Sequence, residues 1–335
     1  GLGAVNVLAS MIFGGISGSS VSDTASVGAV LIPEMEKKGY TPQFSSGITV
    51  ASSTMGMIIP PSVPMIIYAL VSEESVGQLF MGSLIPGVLI GMLMLGITLV
   101  YSYIRRYPKE EVVLTMGQKF QRVRQSILAI IMPVFVVGAV VFGVATATES
   151  AGIGALYALV IGAFIIRGLK FKEVPGLLKS SVQTSANVMI IIALSQLYIW
   201  ILALERVPEA VASLVIGMDM PPMVMLLVLN CIIIITGTFV DVSPAILLLT
   251  PVFLPAAKAV GVDGIQFGVL LISGLAVGLV TPPVGMCLNV ASAISRLGIG
   301  TIFIAAAPFL LANLIVLLLI TFVPELTLWL PSLFY

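Results

Sequence analysis

The chain has 335 residues, 59% hydrophobic and 9% charged, with a formal net charge of zero, no histidine and a mean hydropathy of +1.18. Soluble domains carry about a quarter charged residues, so this chain cannot cover a water-facing surface, and its neutral charge gives no hold on nucleic acid. The absence of histidine excludes histidine catalysis, histidine metal ligation and histidine proton relays.

Several apolar runs reach the roughly 20 residues that span a bilayer, and they are too long and continuous for barrel strands. The expected class is an all-α polytopic membrane protein. The sequence opens without methionine and inside an apolar run, which reads as the C-terminal part of a longer polypeptide.

Residues 1–14 and 25–36 are apolar and flank FGGISGSSVSDTASVG, in which seven of sixteen residues are Ser, Thr or Asp and four are Gly. Each flank is too short to span, so 1–36 reads as a re-entrant helical hairpin with a polar tip. Irregular backbone at that depth is tolerated only inside protein or beside a wet cavity. Residues 43–71 read as a helix broken at IIPPSVP, and 77–104 as a full span, closing a first repeat over 1–104.

Residues 105–219 follow as a cytoplasmic arm and connecting spans. They contain a basic loop over 105–125, spans at 126–147 and 149–168, a short interfacial segment at 171–181 and a span at 183–204. Thr146-Ala-Thr-Glu149 fits a capping box. A second hairpin over 220–257 has the tip GTFVDVSP, a second broken helix over 264–295 contains LVTPPVG, and 299–330 is the last span of a second repeat, 220–335.

A shift of 222 residues superposes Gly15 on Gly237, Pro33 on Pro255, Gly39 on Gly261 and Gly56 on Gly278. It also superposes Pro60-Pro61 on Pro282-Pro283 and Pro86 on Pro308. Gly and Pro punctuate backbone geometry, so matching them matches breaks rather than composition. The pattern reads as a duplication.

With both hairpins re-entrant, thirteen of the fifteen Lys and Arg fall on the side where the first hairpin opens, and only Arg206 and Lys258 on the other. The positive-inside rule makes the first side cytoplasmic. The second repeat is then inverted, and the C-terminus is periplasmic.

Only Asp23 and Asp241 fall inside apolar elements away from their outer ends, and a carboxylate at membrane depth marks a functional site by default. Gly237 can close the first half of the second hairpin, and Ser243-Pro244 can start the next helix. Asp241 would then sit in an unwound tip as a cation ligand or substrate-site acid, or as a carboxylate that satisfies tip amides. Ser20 to Asp23 fits a capping box, so Asp23 reads equally as a cap and as a site residue. Ser17 and Ser19 exceed what one cap needs and can supply oxygens to a hard monovalent cation or donors to a polar solute.

At the breaks, proline frees carbonyls of the preceding turn, and Ser62 and Thr281 can cap the continuing half-helices. Freed carbonyls suit a cation, and half-helix N-termini suit a substrate carboxylate. Cys231 and Cys287 read as small buried hydrophobes, and Trp200 and Trp329 as interfacial anchors. No Walker motif occurs.

NVLASMIFGGISGSSVSDTASVG, LIPEMEKKGY, SSTMGMIIPPSVPMIIY, GVATATESAGIGALYALV, GTFVDVSPAILLLTPVFLP and GLVTPPVGMCLNVAS together resemble the large membrane subunit of TRAP transporters. The resemblance implies a sodium-coupled secondary uptake system of the bacterial inner membrane, with an elevator fold. Its partners would be a periplasmic substrate-binding protein and a small membrane subunit, separate or fused upstream. The solute would be an organic acid, with sialic acid ahead of a C4-dicarboxylate.

The resemblance also implies sodium sites between each hairpin and its own break. One would draw on Ser17, Ser19, Ser52, Ser53, Thr54 and Ser62. The other would draw on Thr236, Gly237, Thr238, Asp241 and Thr281. Substrate would lie between the tips, near Ser19, Ser20, Asp23, Ser62, Asp241 and Ser243. Sodium is the only metal implied, with no other cofactor. A single-component sodium–carboxylate symporter and a passive channel are the competing readings; an intramembrane enzyme lacks a nucleophile–base pair.

Overall fold

The computed structural model describes residues 1–105, 107, 116–166, 168–217 and 221–335. Every element among them is helical. The first pair is α1 (Leu2–Ser17) and α2 (Ser20–Lys37), joined by two residues and packed together. A broken helix follows as α3 (Pro42–Ser53), α4 (Met55–Ile58) and α5 (Val63–Ser72), then the long α6 (Val76–Ile104). The middle of the chain forms α7 (Met116–Val141), α8 (Ala147–Val160, continued by a π turn over Ile161–Ile165), α9 (Val174–Leu204) and α10 (Val207–Gly217). A second pair, α11 (Pro222–Phe239) and α12 (Val242–Ala259), precedes α13 (Gly264–Gly278), α14 (Met286–Ser295), α15 (Ile299–Phe322) and the short α16 (Glu325–Leu328).

The starts are written locally. Pro42 takes the first turn of α3, and the Phe44 N–H donates to the Thr41 hydroxyl before it. Ser75 caps α6 and Asp263 caps α13 in the same way. Thr146 and Glu149 close both halves of a capping box on α8. Among the described residues six helices are long and apolar enough to cross a membrane: Pro42–Ser72 taken as one, Val76–Ile104, Ala147–Ile165, Val174–Leu204, Val242–Ala259 and Ile299–Phe322.

The core sits on the first halves of the two broken helices. Every residue of α13 is buried, as is α3 from Phe44 onward. Packing crosses between the two halves of the chain: α14 lies on α2 and α3, α12 on α5, and α15 on α3.

The two pairs open at opposite ends of α6, which at about 1.5 Å per residue is longer than a bilayer core is thick. The open end of the first pair lies by the C-terminal end of α6. There the Leu2 N–H donates to the Tyr40 hydroxyl, and Tyr40 stacks on Tyr107 at 4.6 Å. The open end of the second pair lies by the start of α6, where Lys258 meets Glu74 at 2.7 Å. Between these ends, Ile59 in the first break packs against Gly87, well inside α6.

The 222-residue offset recurs in the backbone. Ser17 and Phe239 end the first helix of each pair, and Ser20 and Val242 start the second. Gly39 and Gly261 both turn with positive φ, 85° and 86°. Pro60-Pro61 and Pro282-Pro283 are both cis. Beyond the breaks the offset becomes 223, because α5 starts at Val63 and α14 at Met286. The second break therefore carries one extra residue before its continuing helix.

Several sequence expectations are corrected. The segment 171–181 is no separate interfacial piece; from Val174 it is the start of the 31-residue α9. The basic loop 105–125 is helical from Met116, while 108–115, Arg106 and Arg167 lie outside the described residues, as do the side chains of Lys119, Arg122 and Arg124. The last span stops at Phe322, where Pro324 follows and the chain turns into α16. Helix α10 was not marked by the hydropathy pattern. Cys231 is exposed, not buried; only Cys287 is enclosed.

Candidate functional site

The first tip is two residues long. Gly18 ends α1 in the left-handed region, φ 62°, with its N–H on the Gly14 carbonyl. Ser19 caps α2, accepting from the Ser22 N–H at 3.5 Å. The cap therefore lies one residue before Ser20, and Asp23 falls in the fourth helical position, where it cannot answer a capping box. That reading of Asp23 is withdrawn. Asp23 and Ser20 are fully buried. Neither Asp23 oxygen, nor the Ser20 hydroxyl, has a hydrogen-bond partner of full geometry among the described residues, although the Ser10 hydroxyl lies close enough to interact with the carboxyl. Buried polar groups are normally satisfied, and one that is not calls for an ion or a water.

The first break closes over this group. A Cβ on Gly56 would lie 3.3 Å from the Ser19 carbonyl oxygen and 3.5 Å from the Asp23 Cβ. The Gly18 carbonyl accepts from the Val63 N–H at 3.3 Å, pinning the tip to the start of α5.

Ser52, Ser53 and Thr54 do not converge. Consecutive helical residues point about 100° apart, and the three hydroxyls go to three neighbours. Ser52 pairs with Ser10 at 2.9 Å and donates to Asn6 Oδ1. Ser53 accepts from Thr24 at 2.7 Å. Thr54 donates to Asn313 on α15 at 3.0 Å. Of the three hydroxyls, that of Ser53 is the one bonded to α2. Ser17 stays at the tip, 3.4 Å from the Ser19 N–H that it accepts. Ser62 holds the N-cap position of α5 without a capping bond; its hydroxyl donates to the Met57 carbonyl.

The second tip differs. Helix α11 runs on to Phe239, so Gly237 does not end it. Instead Gly237 lets α11 touch α13: a Cβ on Gly278 would lie 2.6 Å from the Gly237 Cα. Asp241, not Ser243, is the N-cap of α12, and it makes no capping bond, which removes the amide-satisfying reading. Asp241 is exposed, the reverse of Asp23. Thr281 does not cap α14, which starts at Met286 after Gly285 in the left-handed region. Its hydroxyl donates to the Val277 carbonyl at the end of α13, and those of Thr236 and Thr238 to carbonyls of α11. Such hydroxyls keep their lone pairs free. The Thr238 carbonyl accepts from Val284 at 3.3 Å, so this tip too is pinned to its break.

Cys287 is the residue the sequence reading missed. It lies fully buried in the first turn of α14, which packs on α2 and α3. No local pattern marks it, because its position follows from α14 crossing onto α2. The starts of α5, α12 and α14 carry no side-chain cap; the Val63 and Cys287 amides go to the Gly18 and Leu279 carbonyls, and the positive dipole ends of the three helices lie at the breaks and the second tip.

The comparisons agree with this architecture. Residues 1–326 match the model of the DctM component of the tripartite ATP-independent periplasmic transporters. The chain is 34% identical to the C4-dicarboxylate TRAP transporter large permease protein DctM of Pseudomonas aeruginosa, over 99% of this chain and 78% of that one. It is 35% identical to the sialic acid TRAP transporter large permease protein SiaM of Vibrio cholerae, again over 99% and 78%. It is 34% identical to the isethionate TRAP transporter permease protein DctMQ of Oleidesulfovibrio alaskensis, over 97% of this chain and 51% of that one. The chain therefore belongs to the DctM family of tripartite ATP-independent periplasmic transporters, as a multi-pass inner-membrane transport component and not an enzyme.

Proposed function

We propose that this chain carries sodium-coupled uptake of an organic acid by an elevator motion, with a periplasmic binding protein delivering the solute and a small membrane subunit beside it. The observation that carries the sodium reading is Asp23, a buried carboxylate at the first tip with no full-geometry partner among the described residues. A desolvated, unpaired charge costs several kcal/mol, and a sodium ion held by Asp23, nearby hydroxyls and freed break carbonyls offsets that cost. Asp241, with the Thr236, Thr238 and Thr281 oxygens, is the matching cation set at the second tip. The solute carboxylate is placed between the tips, against the uncapped starts of α5, α12 and α14.

On this reading the first pair opens to the cytoplasm and the second to the periplasm. The chain ends on the periplasmic side, following the positive-inside sorting of its basic residues. Sialic acid is the first solute to test and a C4-dicarboxylate the second, as relatives of both names match over nearly the whole chain.

Proteoliposomes holding both membrane subunits, given an inward sodium gradient, test the proposal. Labelled N-acetylneuraminate or succinate should accumulate only with the cognate binding protein and only in sodium, not choline. Accumulation without any binding protein would support a single-component symporter instead. Linear flux that never saturates and ignores sodium would support a channel.

A further inference from the structure

We propose that the seam between α3 and the first helix pair is a water-admitting route from the first tip to the Thr41 end of the molecule, by which the cation at Asp23 exchanges with that side, and that the second half has no such route. The cation part rests on the sodium reading proposed above; the water part does not. Helix α3 carries Ser45, Ser46, Thr49, Ser52 and Ser53, all buried. Against it α1 brings Asn6 and Ser10, and α2 brings Ser20 and Thr24, also buried. Rungs join the helices. Asn6 Nδ2 donates to the Thr49 hydroxyl at 2.7 Å, Ser10 pairs with Ser52 at 2.9 Å, and Thr24 donates to Ser53 at 2.7 Å. Further from the tip, the Thr49 hydroxyl donates to the Ser45 carbonyl, and the Ser45 hydroxyl to the Thr41 carbonyl. Thr41 is exposed and meets the Tyr107 hydroxyl at 2.9 Å. Polar groups therefore run from beside Asp23 to the surface, along about 18 Å of helix at about 1.5 Å per residue.

The second half lacks this track. At the 222-residue offset the five α3 hydroxyls become Phe267, Gly268, Leu271, Gly274 and Leu275. The four polar residues of the first pair become Val228, Ile232, Val242 and Ile246. Asn230 and Gln266 are buried on α11 and α13, but both turn to α15, where they donate to Thr321 and to the Ile320 carbonyl. Thr250 and Ser273 are single hydroxyls without partners among the described residues. The halves share a backbone, so the fold itself does not demand hydroxyls in the first seam. One such rung is ordinary helix glue. This track also ends on groups that glue does not explain. Asp23 and Ser20 lie at the tip, and Ser46 lies two turns from Ser53 on the same face of α3. All three are fully buried without a full-geometry partner among the described residues, and such groups call for a water or an ion. A rung that parts can take water in place of its partner at little cost, because a water-bridged bond is nearly as good as a direct one. Leu271 and Leu275 offer water nothing, and apolar interiors stay dry.

The test uses the complete transporter carrying Cys231→Ser/Cys287→Ser, to which Ser46→Cys, Thr49→Cys or Leu271→Cys is added singly. All three positions are fully buried, so static exposure does not separate them. The probe is aminoethyl methanethiosulfonate, a small water-borne cation that forms a mixed disulfide with a reachable thiol and releases methanesulfinate. An unchanged gel-filtration profile verifies folding. Ser46→Cys and Thr49→Cys should be modified at least about tenfold faster than Leu271→Cys, because a thiol in dry apolar packing is inert. Equal rates would make the seam helix glue and overturn the proposal. Ser46→Ala tests passage of the cation. Its hydroxyl has no bond to lose, so a structural role predicts unchanged uptake. The route predicts uptake slowed severalfold, with the sodium-induced rise in unfolding temperature kept. Unchanged uptake, or loss of the sodium-induced rise, overturns passage of the cation through the seam. Wild-type protein that sodium does not stabilise would sink the sodium reading alone; fast modification of Ser46→Cys would still establish the hydrated seam.

Discussion

Ser19 and Asp241 hold the same place in the two halves of the chain, 222 residues apart, each the N-cap of the second helix of its pair. Their backbones are both extended, with ψ of 124° and 156°. Their side chains differ in kind: the Ser19 hydroxyl accepts from the Ser22 N–H, while the Asp241 carboxylate accepts nothing from its helix. The charge that the second tip carries at the cap is carried in the first tip four residues later, at Asp23, and is buried there. The tips thus share a frame and exchange an exposed carboxylate for an enclosed one.

Asp23→Asn should remove the share of sodium stabilisation that the first tip supplies, without lowering stability in sodium-free buffer. An amide in place of an unpartnered buried carboxylate removes a desolvation cost. Wild-type protein at 100 times its dissociation constant for sodium gains about 2.7 kcal/mol from binding. Thermal unfolding in detergent, with sodium against choline, checks both statements. A full sodium shift in the variant would remove Asp23 from the cation site.

Asp241→Asn should weaken sodium activation of uptake while leaving the unfolding temperature in sodium-free buffer unchanged. The carboxylate is exposed and makes no capping bond, so the fold does not depend on it. The readout is the sodium concentration for half-maximal uptake in proteoliposomes. Unchanged sodium activation sinks this assignment.

The helix pairs, both breaks and the register up to them were legible because Gly and Pro constrain backbone directly; the extra residue of the second break was not, since Pro86 and Pro308 still match at 222. The role of Asp23 was not. Ser-x-x-Asp is compatible with a cap at Ser20, and a shift of one residue moves the carboxylate from the helix end into the interior. Sequence spacing cannot resolve one residue where Ser19 and Ser20 are both competent caps. Gly237 looked like a helix end for a similar reason. A glycine kept for close packing against Gly278 and one kept for a turn look the same in sequence. Cys287 had no local signal, since what surrounds it comes from α2 and α3, more than 200 residues away.

Gly278→Ala should destabilise the protein, and Gly96→Ala should not. A Cβ on Gly278 would fall 2.6 Å from Gly237 backbone atoms and 2.7 Å from the Ile234 carbonyl oxygen, none of which is a flexible side-chain end. Overpacking of this kind costs about 1–3 kcal/mol. Gly96 lies inside α6 with nothing within 4 Å of an added Cβ. There alanine gains about 0.5–1 kcal/mol of helix preference. Unfolding midpoints in detergent should move in opposite directions. A common direction would show that the contact of α11 with α13 does not set the packing.

Thr54 and Asn313 should be strongly coupled. Thr54 lies at the first break and Asn313 in the last long helix, both buried, and the Thr54 hydroxyl donates to Asn313 Oδ1 at 3.0 Å. The same hydroxyl lies 2.7 Å from the Ala51 carbonyl, and Asn313 Nδ2 has no partner among the described residues. Thr54→Val alone leaves the whole Asn313 amide unsatisfied, which costs about 1–3 kcal/mol. Asn313→Leu removes that amide, while Thr54 keeps the Ala51 carbonyl, so this single change should cost less. Thr54→Val/Asn313→Leu replaces both partners by apolar groups and should recover most of the loss. A double-mutant cycle on unfolding free energy should therefore show an interaction of about 1 kcal/mol or more. Additive effects would mean that α15 only packs beside the break. Coupling would mean that α15 is fastened to the break by that buried hydrogen bond.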